Sequence, residues 1–350
     1  MQVVQVVKRF GLCGGMEEYA YRLTNELSTL GVKVQVVCEQ KVHQPDDKNV
    51  QISELGKSLD KPRWLSHLLF AKKVRKWARL HAQRDTIIHS HERIDCHHLT
   101  TIHSTLYNFP TRRKLPSFRN YLNEYIERRE LNCSSVQKIV PVSNLIAEQI
   151  DSKYAGVSHR LTPPISPGIS PINAVKKRLE PESPVIGFMG KEWKRKGLIK
   201  AIEIWRELRK EYPFARLCLA GFPIDEPIGI SVDELRFVDL LGHVRRKEEF
   251  YEKIDILLHP AQKEAFGMVI AESQSVGIPA ICSKETGASK LLTSERTLNY
   301  KDSIGLWCNV LKKILAQPSD DFPNRSKVDS WQQVASKYYS NYKDLLEKQS

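Results

Sequence analysis

The chain has 350 residues, 41% of them hydrophobic and 27% charged. That is enough for two folded domains with their own cores, and it excludes a disordered chain. No apolar run reaches the ~18 residues that a membrane span needs, and a formal charge of +13 points to an anionic partner: nucleic acid, a phosphorylated substrate or an acidic membrane face. The seven cysteines are scattered and never spaced Cys-x-x-Cys, which fits reduced thiols rather than a disulfide scaffold. "MQVVQVVKRF" runs straight into a strand-like segment without the build of a signal peptide, so the cytoplasm is the expected compartment.

In chain order, "QVVQVV" predicts a buried strand and "KRFGLCGG" a glycine-rich loop. Met16, Tyr19, Ala20, Leu23, Leu27 and Leu30 follow helical spacing, Gly31 stops the helix, and "VKVQVVC" is the next strand. Further strand-like runs lie at 86–91, 99–104 and 136–143, with a Tyr-, Leu- and Arg-rich helix between the last two. Six prolines fall between 161 and 184, the best linker candidate in the chain. Alternation then resumes: strands "PVIGFMG", "ARLCLAG", "LRFVDLLG", "IDILLHP" and "IPAICS", with "GLIKAIEIWRELRK" the clearest helix among them. Strand–helix alternation on both sides of a joint predicts two Rossmann-like, parallel-sheet α/β domains, 1–165 and 166–328. The tail helix 329–350 would cross back to the first domain. Ligands bind at the carboxyl ends of parallel strands, so two such sheets facing each other would place the site in the cleft between them.

Two stretches carry chemistry. "EAFGMVIAE" (264–272) sets Glu264 ahead of a helix expected to start near Phe266–Gly267, and Glu272 ~7 to 8 Å further along it. The first N–H groups, of Gly267, Met268 and Val269, have no intrahelical acceptor and with the helix dipole suit an anion such as phosphate. An anion site flanked by two hydroxyl-accepting carboxylates fits a nucleotide sugar. A loop acid and a helix carboxylate paired with a lysine would look the same. "GKEWKRKGL" (190–198) crowds Lys191, Lys194, Arg195 and Lys196 into a turn before a helix opened by Gly197. Cations there oppose the macrodipole and require an anion or full solvation. The histidines at 89, 91, 97, 98 and 103 invite a metal reading. The H-x-H step puts two rings on one strand face, yet no Cys-x-x-Cys or His-Glu-x-x-His accompanies it, so a strand-end cluster is preferred and no metal is assigned.

Gly190-Lys191, Lys196-Gly197 and Glu264-x-Phe-Gly-x4-Glu272 together resemble the pattern of retaining GT-B glycosyltransferases of family four. The Gly-Gly of "CGGMEEY", the "TIHS" around His103 and the tail helix are similar to other parts of that family, so the likeness covers nearly the whole chain. "ILLHPAQKEAFGMVIAE" and "RLTPPISPGISP" look most like enzymes of lipopolysaccharide-core assembly. The resemblance implies a GT-B fold, with the first domain taking the acceptor and the second the nucleotide sugar. By it, Glu272 would accept from ribose hydroxyls and Glu264 would hold the donor sugar. The Phe266, Gly267, Met268 and Val269 backbone would lie beside the phosphates, and Lys196 would neutralise the diphosphate. Lys191 stands where the family commonly has arginine; it keeps the charge but loses the bidentate fork, so Arg195 would share that task. Gly15 would let backbone approach the phosphates, His103 would contact the donor sugar, and Glu17 would lie towards the acceptor. Base recognition would fall to the loop 242–248, with Val244 in it. "ETGASKLL" departs from the family's Gly-Gly-x-x-Glu and leaves Thr286–Ala288 without an assigned role. No Asp-x-Asp occurs in the sequence, so charge stabilisation without a metal is expected. A UDP-sugar is the favoured co-substrate, and no resident cofactor is implied.

The segment 61–84 carries eight Lys or Arg and no acid, interleaved with Trp64, Leu68, Phe70, Val74 and Trp77. That composition suits an interfacial amphipathic helix on anionic lipid; the plainer alternative packs its stripe on a sheet. "TRRKLPSFR" (111–119) adds a second basic patch. The expectation is therefore a cytoplasmic transferase, peripheral on the inner face of the cytoplasmic membrane, moving a sugar onto a lipid-linked glycan. The alternatives are a transferase for a soluble or capsule acceptor, or a non-catalytic anion or nucleic-acid binder.

Overall fold

The computed structural model describes residues 1–106, 118–174, 182–316 and 328–347. Fourteen strands and eleven α-helices among them divide into two compact units, Met1–Gly168 with Asp329–Ser350, and Ile169–Val328.

Unit 1 is built on β1 (Gln2–Val6), β3 (Lys33–Cys38), β5 (Gln51–Glu54), β6 (Thr86–Ser90), β7 (Leu99–Ile102) and β8 (Lys138–Pro141). They form one parallel sheet in the order β5-β3-β1-β6-β7-β8, with a two-stranded appendage of β2 (Arg9–Phe10) and β4 (Gln40–Lys41). The helices are α1 (Gly15–Thr29), α2 (Arg63–His81), α3 (Phe118–Leu131), α4 (Asn144–Lys153) and the returning α11 (Trp331–Glu347). Unit 2 repeats the plan with β9 (Val185–Met189), β10 (Arg216–Ala220), β11 (Val238–Gly242), β12 (Ile256–His259), β13 (Ala280–Ser283) and β14 (Thr297–Leu298), ordered β11-β10-β9-β12-β13-β14. Its helices are α5 (Trp193–Lys196), α6 (Leu198–Leu208), α7 (Val232–Leu235), α8 (Glu248–Tyr251), α9 (Met268–Ser275) and α10 (Ile304–Leu315).

Burial on both faces explains the uninterrupted β-branched runs of the central strands. Val3, Val4 and Val6 of β1 are fully buried, as are Ile256, Leu257 and Leu258 of β12. In unit 2 the apolar face of α6 (Ala201, Ile202, Trp205, Leu208) packs with Trp307 and Leu311 of α10 onto Ile186, Phe188 and Leu217. In each sheet the strand order reverses beside the first strand, between β1 and β6 and between β9 and β12. The carboxyl ends of those strands are where such folds bind ligands.

Two expectations change in detail. The proline-rich stretch is not a free linker over its whole length. Thr162 and Ile165 donate backbone hydrogen bonds to Ile139 and Pro141 of β8, and a Cβ on Gly168 would lie 2.6 Å from the Trp331 nitrogen. Its first half thus belongs to unit 1. The basic helix α2 turns Phe70, Ala71, Val74 and Trp77 into the core against Val4, Val6, Val37 and Ile88, so most of the apolar stripe covers the sheet. Two of its cations are engaged locally, Arg75 with Asp95 and Lys73 with the Gly56 carbonyl, whereas Arg63, Lys72, Lys76 and Arg79 are exposed. Residues 111–117 of the second basic patch lie outside the described residues. No helix among the described residues is long and apolar enough to cross a membrane.

Candidate functional site

At the unit 2 reversal point, β9 leads into residues 190–197 and β12 into residues 260–267. Instead of an open basic loop, the first segment makes a single turn, α5, ended by Gly197 at φ 84° before α6 begins. The glycines here are fixed by close approach. A Cβ on Gly197 would sit 1.8 Å from the Pro260 carbonyl oxygen, and one on Gly190 would sit 2.4 Å from Cδ of Lys196. Lysine 196 therefore lies flat over Gly190 with its ammonium directed to the β12 side.

That ammonium meets Glu264. Lys196 Nζ is 3.4 Å and Arg195 Nη1 3.2 Å from Glu264 Oε2, with His259 Nε2 at 4.0 Å. Burial alone would raise the Glu264 carboxyl, but the facing charges of Lys196 and then Arg195 outweigh it and hold its pKa below the usual value. His259 is pushed down to about 3, by burial first and Lys196 second, so it is neutral. Both its ring nitrogens are buried without a hydrogen bond. Arg195 is also held by Glu192 at 2.6 Å and by the Lys263 carbonyl, which leaves Lys196 the less committed of the two cations. Lys191 stands exposed in the turn after β9.

Helix α9 starts at Met268, capped by Gly267 at φ 100°, where a Cβ would press 2.8 Å from Cγ2 of Thr286. Ile270 is the first residue to donate within this turn, to Gly267, so the Gly267, Met268 and Val269 N–H groups have no acceptor inside the helix. Thr286–Ala288, which carried no role in the sequence, hold the approach to α9 in place. Gly287 N–H donates to the Glu264 carbonyl and Ala288 N–H to that of Phe266. Glu272, only 3% exposed, accepts from Lys247 Nζ at 2.5 Å and from the Tyr251 hydroxyl at 2.9 Å. Tyr251 is raised well above the ordinary tyrosine value, by burial first and then by Glu272, and so remains a donor. Val244 lies half-buried in the turn between β11 and α8. Unit 2 thus brings Lys196 and Arg195 onto Glu264, with Phe266, Gly267, Met268 and Val269 following at the start of α9 and Glu272 one turn along it. The partners that sequence reasoning missed are Tyr251, Lys247 and His259.

In unit 1, Gly15 is exposed at the first turn of α1, with nothing within 4 Å of an added Cβ. The crowded position is Gly14, where a Cβ would meet Oε2 of Glu17 at 2.3 Å. Glu17 is bent back onto Arg9 at 2.6 Å rather than extended into solvent. His103, just beyond β7, is partly exposed and bonds through Nε2 to Nδ1 of His91 at 2.8 Å. The His89 and His91 rings share a face, 4.4 Å apart. His98 accepts from Ile88 N–H, and His97 lies 3.9 Å from Cys133 Sγ. Among the described residues no group of three or more His, Cys, Asp or Glu is arranged to hold a metal ion.

Family models match in tandem: "Glycosyltransferase Family 4" over residues 13–171 and "Glycosyl transferases group 1" over 171–318. The chain belongs to the GT-B glycosyltransferases. Among solved GT-B structures it is similar to WaaG, "a glycosyltransferase involved in lipopolysaccharide biosynthesis", at TM-score 0.75 and 16% identity over 99% of this chain and 98% of that one. It is also similar to the "lipopolysaccharide outer core galactosyltransferase WaaB", at TM-score 0.66 and 13% identity over the whole of both chains, and to Anabaena HepE bound to UDP and glucose, at TM-score 0.66 and 12% identity over 97% and 99%. At such identities these likenesses establish the fold alone. Curated relatives include the capsular polysaccharide glycosyltransferase CapM of Staphylococcus aureus, 27% identical over 32% of this chain and 31% of that protein. A D-inositol 3-phosphate glycosyltransferase of Mycobacteroides abscessus is 23% identical over 59% and 48%. The chain spans about a third to a half of the length of these curated relatives.

Proposed function

We propose that this GT-B protein is a retaining, metal-independent glycosyltransferase that moves a sugar from a nucleotide sugar, UDP-linked by preference, to a lipid-linked glycan of the lipopolysaccharide core. The observation that carries the reading is the convergence of Lys196 and Arg195 on Glu264 beside the unpaired N–H groups of α9, with Glu272 buried a turn further on. Breaking an anomeric bond to a diphosphate develops negative charge on the leaving group. Lys196 and the Gly267–Val269 N–H groups would supply fixed donors to that charge with little reorganisation. Glu264 balances the two cations when no phosphate is bound. In the complex it would share Lys196 with the diphosphate and turn its other oxygen to sugar hydroxyls. Glu272, with one oxygen on Tyr251 and the other on Lys247, keeps lone pairs for the two ribose hydroxyls. His103 and Gly15 are assigned to the donor sugar and its phosphates. Retention would follow from acceptor attack on the face the leaving group departs. The likeness to WaaG and WaaB, both lipopolysaccharide glycosyltransferases, supports a lipopolysaccharide acceptor, and the likeness to HepE with UDP and glucose supports the donor class.

A thermal-shift panel of UDP-, GDP-, ADP- and CMP-linked sugars tests the donor, since a ligand stabilises in proportion to its affinity. Selective stabilisation by one base, followed by transfer to lipopolysaccharide lacking outer sugars with the anomeric configuration kept, is the expected result. No stabilisation by any member would refute the reading. A capsule or soluble acceptor is the second reading, favoured by CapM. It would be supported if the chain failed to float with anionic liposomes and used a water-soluble acceptor.

A further inference from the structure

His259, the last residue of β12, is a buried polar ring that the free protein leaves unsatisfied. It is 0% exposed, and both ring nitrogens are buried without a hydrogen bond, a state that no other histidine among the described residues shares. Its ring faces Phe188, with centroids 6.4 Å and planes 21° apart, surroundings that suit an apolar side chain. A buried polar atom without a partner costs stability that an apolar group of similar size would not lose. The free fold alone therefore gives no reason for a histidine at this position.

The reason lies beside Nε2. Glu264 Oε2 is 4.0 Å away, about 1 Å beyond hydrogen-bond range. The same oxygen is approached by Lys196 Nζ at 3.4 Å and by Arg195 Nη1 at 3.2 Å. While both cations attend it, a third donor is superfluous. A bound diphosphate changes that count. Its oxygens compete for the Lys196 ammonium, whereas Arg195 stays tied to Glu192 and to the Lys263 carbonyl. Oε2 then loses a donor in a site where the Glu264 side chain is only 14% exposed, so water is a poor replacement. His259 is uncharged, held down to about 3 by burial and then by the Lys196 charge. It can therefore supply an N–H without adding a further cation to those already gathered at Glu264.

We propose that His259 is a positioning residue held in reserve for Glu264: when a diphosphate draws Lys196 away, His259 Nε2–H replaces the ammonium on Oε2 and keeps the carboxylate in place. The exchange rests on the donor reading of Lys196 and Glu264. It swaps an ion pair for a hydrogen bond, with no covalent bond made or broken. The unsatisfied nitrogens are then a cost in the free protein and a gain in the complex, a pairing of signs that a purely structural histidine does not give.

Two arms test this on the full chain. His259→Leu removes both nitrogens and keeps an apolar side chain in their place, and His259→Gln retains a side-chain N–H. Without nucleotide, the leucine variant should melt at or above the wild-type temperature. Its affinity for UDP, read by titration calorimetry, should fall about tenfold, as for the loss of one hydrogen bond to a charged group, and His259→Gln should recover part of that loss. Unchanged UDP affinity in the leucine variant would overturn the proposal. The second arm needs no nucleotide. Lys196→Met keeps an unbranched stem over Gly190 but removes the ammonium, as a diphosphate would. Proton–nitrogen NMR of histidine-labelled protein, with His259 assigned by its loss in His259→Gln, should show the Nε2 proton moved downfield and protected from exchange. Adding Glu264→Gln should move it back. A His259 ring indifferent to Lys196→Met would overturn the proposal whether or not UDP binds. Absence of UDP binding by the wild type, alongside the expected response to Lys196→Met, would count against the donor reading and not against the exchange at Glu264.

Discussion

Replacing Glu272 by alanine separates a structural carboxylate from a ribose-binding one. Its two oxygens are held by Tyr251 at 2.9 Å and by Lys247 at 2.5 Å. The Tyr251 hydroxyl is also 3.2 Å from the Val269 carbonyl, so it keeps an acceptor when the carboxylate is gone. Lys247 is 41% exposed and already partly in water. The folded state therefore loses only about 1 kcal/mol, from one hydrogen bond and a small void. Hydrogen bonds from ribose hydroxyls to a charged acceptor are worth ~1.5–3 kcal/mol, so UDP should bind about 10- to 150-fold more weakly. Titration calorimetry with UDP, paired with a thermal melt of the free protein, measures both quantities. A UDP affinity within twofold of wild type, in a variant whose melt is nearly unchanged, would show that Glu272 serves the core and not the nucleotide.

Gly197→Ala forces a side chain into a left-handed backbone and against the Pro260 carbonyl. The urea midpoint should fall by the equivalent of at least ~2 kcal/mol, and an unchanged midpoint would refute the close approach. Burial raises the Glu130 carboxyl to about 8. Folded, it keeps a proton that the unfolded chain releases near 4.5, so its contribution to stability is lost as pH rises between those values. Glu130→Gln should therefore gain stability relative to wild type in urea melts as pH goes from 5 to 9; parallel curves would count against it. For membrane contact, charge reversal at the exposed Lys72, Lys76 and Arg79 should abolish flotation with anionic liposomes. Unchanged partitioning would remove the lipid surface from the proposed function.

What the sequence disclosed and what it hid divide along the range of the interactions. The central strands were legible because burial on two faces demands runs such as "QVVQVV" and "IDILLHP". The edge strand "QISE" of β5 and the two residues of β14 give no such run. Lys196, Glu264 and Glu272 were found because a helix start and a strand end are local events with local residue signatures. Tyr251 and Lys247, 21 and 25 residues from Glu272, belong to another element and share no spacing with it. The histidines 89, 91 and 103 stood out as a cluster. Their hydroxyl partners Tyr338 and Tyr342 lie 237 residues from Thr101 and 253 from His89, where only folding connects them. The basic helix shows a further limit: composition gave the amphipathic pattern, but which side is covered depends on a sheet that its own residues do not encode.

Helix α11 supplies Trp331, Val334, Tyr338, Tyr342 and Leu345 to the interior of unit 1, each 5% exposed or less, although 160 residues of unit 2 separate it from Gly168. During synthesis the first sheet must leave the ribosome with that flank unfilled and wait while the second sheet is made. Unit 2 can close on itself as soon as it emerges, so the later-translated half is placed to mature first, and the earlier half is the one exposed to chaperones and proteases in the interval.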